Sequence, residues 1–81
     1  MQKLGTINGE EIRSFTLCGE ESGEAGDFTS LKELYEEMQE IKRLDRQEYG
    51  YTDDFTVQIN TDKNCYIGYK ISKYKGKYKL R

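Results

Sequence analysis

The side chains best equipped for chemistry in this chain are its carboxylates, tyrosines and lysines, and what is missing narrows their use. There is no histidine, so the commonest general base near neutral pH and a frequent metal ligand are both absent. Cys18 and Cys65 stand far apart, and two isolated thiols do not complete a zinc site without other good ligands. No glycine-rich loop has a phosphate-binding spacing; Gly23 and Gly26 do precede a helix signal, but Glu20, Glu21, Glu24 and Asp27 beside them would repel a phosphate. Asp53-Asp54 and Asp62-Lys63-Asn64 lack the spacing and terminal glutamate of a calcium loop. Residue type alone permits a glycosidase-like carboxylate pair, yet 81 residues leave little material for a substrate cleft. The expectation is a binding protein and not an enzyme, with no catalytic, cofactor-binding or metal-ligating residue.

Two kinds of surface could do the binding. Residues 9–41 hold ten acids against Arg13 and Lys32. Glu33, Glu37 and Glu40 fall on one helical face at spacings of four and three, with Glu36 adjacent. With Glu20, Glu21, Glu24 and Asp27 they would form an acidic surface imitating a phosphate backbone. The plainer account is a solvated helix face whose acids complement the positive end of the helix dipole. At the other end of the chain, residues 64–81 carry Lys70, Lys73, Lys75, Lys77, Lys79 and Arg81 and no acid. Tyr66, Lys70 and Tyr74, extended by Lys77 and Tyr78, would share one strand face. Aromatics interleaved with cations can stack bases and hold phosphates. Lysines also guard edge strands against aggregation, and exposed tyrosines suit a protein interface. Glu48-Tyr49-Gly50-Tyr51 reads as a cap over the core.

The length fits one domain, 1–81. Hydrophobic and charged residues each make up 35% of the chain, a composition bordering on disorder. A net charge of only −2, ten aromatics and no proline favour a packed fold. A secreted chain this small would carry more cysteines and an apolar leader, and no apolar run reaches the ~18 residues of a membrane span. The expected compartment is cytoplasmic, with both cysteines acting as small buried hydrophobes.

The elements follow from local pattern. Asn8-Gly9 tolerates the positive φ angles of a type I′ turn, so residues 3–19 should form a hairpin. Ile12 is out of phase with Phe15 and Leu17, which implies a bulge near Arg13-Ser14 or a different register. Residues 19–27, rich in glycine and acid, read as an exposed loop. Ser30 and Glu33 make a capping box. Leu31, Leu34, Met38, Ile41 and Leu44 form one apolar helical stripe, and Gly50 is placed to stop it. Phe55, Val57 and Ile59 alternate with polar residues as a half-buried strand. Cys65, Ile67, Tyr69 and Ile71 do the same after a turn at residues 62–64. A short strand over 77–80 would follow Lys75-Gly76, giving a basic end at 75–81.

The expected fold is α+β in the order ββαββ, an antiparallel sheet with one helix packed on one face. Leu34, Met38 and Ile41 should meet Phe55, Val57, Ile59, Ile67, Tyr69 and Ile71, and the first and last strands should share one sheet. Small size, high charge, absent histidine and hairpin–helix–hairpin order share the general style of small phage and mobile-element proteins, CRISPR inhibitors among them, without a diagnostic motif. The leading expectation is a non-enzymatic inhibitor or adaptor whose acidic surface blocks a nucleic-acid enzyme. The alternative is a nucleic-acid-binding module using the Tyr/Lys face.

Overall fold

A computed structural model describes residues 4–81, so Lys3 of the first hairpin lies outside the described residues. Asn8 and Gly9 take φ of 51° and 78° and turn β1 (Thr6–Ile7) into the long β2 (Glu10–Gly19). Pairing of β2 with β4 (Phe55–Thr61) slips between Ile12 and Ser14. This bulge brings Ile12 onto the core side together with Phe15 and Leu17, which resolves their phase conflict.

After a three-residue turn the chain continues as β3 (Gly23–Phe28), paired antiparallel with β2. The loop expected over 19–27 is thus mostly a strand. Only Phe28 of β3 is even half-buried, and an edge strand held by backbone bonds needs no apolar alternation. The turn itself is fixed from afar by Asp53.

Helix α1 (Leu31–Tyr49) starts and stops as its caps dictate. Ser30 Oγ accepts the Glu33 N–H at 3.4 Å. Gly50, with φ of 81°, donates its N–H to the Arg46 carbonyl at 3.0 Å. The helix buries Leu34 and Met38 against Phe15, Leu17, Phe55, Val57 and Ile59. These seven side chains are the core, with Ile41, Tyr69 and Ile71 packed on its margin. Leu44, 47% exposed, contributes little.

Strand β2 lies at the centre of the main sheet, ordered β1-β2-β4-β5 with β3 also beside β2. In β5 (Cys65–Tyr69) the expected alternation fails. Val57 pairs with Tyr69 but Ile59 pairs with Tyr66, so the partner strand carries one extra residue at Ile67-Gly68. Gly68 has φ of 90°, a conformation glycine adopts without penalty. The phase flips across it: Tyr66 becomes half-buried, Cys65 is exposed, and Ile67 is 77% exposed. Ile67 is therefore not a core residue. Cys65 is not a buried hydrophobe either, and Cys18 is only partly covered.

The last two strands, β6 (Ile71–Tyr74) and β7 (Lys77–Leu80), form a further hairpin. Lys75 and Gly76, at φ of 51° and 77°, form its turn. This hairpin is a separate two-stranded sheet and does not join the first strands in one sheet as expected. It packs Ile71 and Leu80 on the core margin and sets Tyr78 5.4 Å from Tyr35 of α1, centroid to centroid. Helix and hairpin thus lie side by side over the core. The fold is α+β with antiparallel sheets, but its order is three strands, helix, four strands rather than ββαββ. Among the described residues no helix is long and apolar enough to cross a membrane.

Candidate functional site

Two distant stretches meet at one end of the molecule, where the β2–β3 turn reaches the C-terminus of α1. Asp53 makes that junction. Its carboxylate accepts the backbone N–H groups of Glu21 and Ser22 at 3.0–3.1 Å and the Ser22 hydroxyl at 2.8 Å. The Glu20 N–H donates to the Asp54 carbonyl at 2.8 Å. The Ser22 amide above all, then its hydroxyl and the amides of Glu21 and Asp54, holds the Asp53 carboxyl below its ordinary range, because each favours the charged form. Gly19 is required beside it: a Cβ there would collide with Ser22 Oγ and lie 2.5 Å from Asp53 Oδ2.

Glu21, Ser22, Asp45, Tyr49, Tyr51 and Asp53 line an open notch of about 340 Å³. Glu20, Glu48 and Asp54 adjoin it in the chain. Asp45 and Glu48 occupy the last turns of α1, where the helix dipole disfavours acids. Arg46 of the same last turn suits the dipole and lines a different surface, the groove beside the C-terminal hairpin. Tyr49 and Tyr51 are each 61% exposed, their rings 6.4 Å apart. They do not cap the core; they form an amphipathic wall at the rim. Among the described residues the ion pairs are Arg13–Glu11 and Arg43–Glu40, and neither involves an acid of this notch.

The eight acids expected to form one surface fall into separate groups. Glu20 and Glu21 stand at the acidic end. Glu24 is exposed on β3. Asp27 accepts the Thr16 hydroxyl on the polar face of the sheet, where Asn60 also bonds Ser14 and Thr16. Glu33 sits in the first turn of α1, some 25 Å along the helix from its C-terminus at about 1.5 Å per residue. Glu37 lies one turn on from Glu33. Glu36 and Glu40 face the C-terminal hairpin, and Glu40 is held by Arg43, whose Nε donates at 3.2 Å.

The alternative Tyr/Lys face is not assembled on one strand. Tyr66 is half-buried and donates its hydroxyl to Glu10 at 2.7 Å. Glu10 also accepts from Thr61 Oγ1 at 2.6 Å and Asn64 Nδ2 at 3.0 Å, pinning the β4–β5 turn. Its carboxyl is pushed down by the Thr61 bond first and the Tyr66 bond second. Lys70 Nζ donates to the Phe55 carbonyl at 3.3 Å. Tyr74 lies beyond the Gly68 bulge in the other sheet, 72% exposed, paired with Lys77. Tyr78 faces α1 instead.

Sequence reading missed Asp45 and Asp53 as partners of Glu21, since that grouping depends on where α1 ends relative to a turn about thirty residues away. The usable signal was a pair of acids placed where the helix dipole opposes them. Among the described residues no three cysteine or carboxylate side chains converge to hold a metal. Compared with known proteins, the chain matches no family, no curated protein and no solved structure.

Proposed function

We propose that the protein works by binding and not by catalysis, docking its acidic, tyrosine-lined end onto a cationic surface of a protein partner. The observation that carries this is the notch of Glu21, Asp45 and Asp53 walled by the exposed Tyr49 and Tyr51. Acids with no ion-pair partner among the described residues attract a basic surface from a distance, and tyrosines supply contact area at low entropic cost. A nucleic-acid enzyme offers such a cationic groove, which makes the protein a small inhibitor or adaptor. A phage or mobile element, with an anti-CRISPR role among its needs, would be the setting, and the cytoplasm the compartment. The acids of Glu33 and Glu37 form a separate patch and are not needed for this docking.

The test compares the native chain with the triple variant Glu21→Lys/Asp45→Lys/Glu48→Lys, which leaves Asp53 in place to hold the turn. A decalysine peptide, titrated while tyrosine emission is followed, should perturb the native protein and not the variant. A partner captured from host lysate should likewise be lost by the variant while its melting curve stays cooperative. Equal peptide binding and equal capture by the two proteins would overturn the proposal.

A further inference from the structure

The groove between α1 and the C-terminal hairpin encloses about 570 Å³, and it carries charge of the opposite sign. Its helix wall is a single polar stripe. Lys32, Glu36, Gln39, Arg43 and Arg46 recur at spacings of four, three, four and three, running about 21 Å along the helix axis at 1.5 Å per residue. Lys73 of β6 stands on the opposite wall, and Tyr35 and Tyr78 meet between the walls. Counting Lys42, five bases line the groove against two acids. One of those acids, Glu40, is already paired with Arg43. The hairpin adds Lys75, Lys77 and Lys79, with no acid anywhere in residues 64–81.

We propose that this groove binds single-stranded nucleic acid. The stripe and Lys73 place cations on both sides of an extended open channel, the arrangement a phosphate backbone requires. Tyr35 and Tyr78 supply aromatic surface at its floor, and the Lys73 ammonium lies 5.6 Å from the centre of the Tyr78 ring, so a phosphate and a base can be met side by side. A concave slot between one helix and a two-stranded ribbon accepts bases turned inward, whereas a convex duplex would touch only its rims. The overall charge of −2 does not oppose this, because salt screens charges beyond roughly 8 Å at physiological ionic strength and each face acts locally. The groove shares Lys73 and Tyr78 with the basic end of the chain, but its helix wall makes it a different site from the Tyr66-Lys70-Tyr74 face. It shares no lining residue with the acidic notch.

Fluorescence anisotropy with labelled twelve-nucleotide poly(U) and poly(dT) tests the proposal, with a twelve-base-pair duplex and a polyglutamate peptide as comparison arms. Both single strands should bind saturably, and four phosphate contacts should weaken binding on the order of 50-fold between 50 and 200 mM salt. Arg46→Glu/Lys73→Glu, two exposed positions, should lose at least tenfold in affinity without a change in melting temperature. The triple variant of the acidic end should bind oligonucleotides undiminished, so the two proposals fail separately. No complex at 50 mM salt, equal binding of polyglutamate, preference for the duplex, or full affinity in the Arg46/Lys73 variant would each overturn the inference.

Discussion

Ile67 and Leu34 provide the sharpest test of how the chain is wound. By alternation alone Ile67 belongs in the core beside Tyr69, yet the bulge at Gly68 leaves it 77% exposed. Truncation to alanine should then remove only about a quarter of a side chain's burial. Full burial of an isoleucine contributes roughly 1.5–3 kcal/mol, so Ile67→Ala should cost about 0.5 kcal/mol. Leu34 is fully buried among Leu17, Met38 and Val57, and Leu34→Ala should cost about 2–5 kcal/mol, cavity included. In a domain of this size each kcal/mol shifts the melting temperature by roughly 4–8 °C. The expected falls are therefore about 2–4 °C for Ile67→Ala and at least about 8 °C for Leu34→Ala. Thermal melts followed by circular dichroism, with urea titrations to check that the slope is unchanged, would measure both. Ile67→Lys should also be tolerated. A loss for Ile67→Ala as large as that for Leu34→Ala would refute the bulge and restore an unbroken strand.

Gly68→Ala meets no atom within 4 Å, so its cost is the backbone's alone, about 1–2 kcal/mol for a φ of 90°, readable in the same melts. The pH dependence follows from Glu10 and Asp53, both held below the ordinary carboxylate range by accepted hydrogen bonds, led by Thr61 for Glu10 and by Ser22 for Asp53. A depressed folded value means that their stabilisation is present above the ordinary carboxylate range and is lost as pH falls through and below it. Melts from pH 7 to 2 should show that decline, and Glu10→Gln should flatten part of it; an undiminished decline would remove Glu10 as a contributor. A thiol reagent should label exposed Cys65 first and Cys18 slowly, because burial, then Glu24 and Asp27, pushes the Cys18 thiol up. Raising the pH should speed the labelling of Cys18.

What was legible in the sequence was what short-range physics decides. Asn8-Gly9, the Ser30 cap, the Gly50 stop and the alternation of β4 each depend on a few neighbouring residues. Strand β3 was illegible because an edge strand built of glycine and acid buries almost nothing, so no apolar period marks it. The flip in β5 was illegible because the pattern Cys65, Ile67, Tyr69, Ile71 looks regular unless Gly68 is known to take a positive φ. The final hairpin was visible as a hairpin, but its separation from the main sheet depends on packing against Tyr35. The same divide runs through the candidate site. Acids, lysines and tyrosines were recognised by type, whereas their grouping depends on distant pairs such as Glu21 with Asp53, which only the closed fold brings together.

The central place of β2 bears on how the chain reaches this fold. Strand β2 must be flanked on one side by β3, its immediate successor, and on the other by β4, which follows only after the whole of α1. The β2–β3 hairpin and the helix can form from local contacts, but the ladder from Ser14 to Asn60 closes a loop of more than forty residues, the kind of pairing that slows folding. Until β4 docks, Phe15, Leu17, Leu34 and Met38 have no Phe55, Val57 or Ile59 to cover them. A fragment ending at Asp54 would keep the hairpin and helix sequences and expose an apolar surface on both. The arrival of β4 is thus the step that turns separate local pieces into one cooperative unit, and any cut between α1 and β4 leaves two halves that each lack a core.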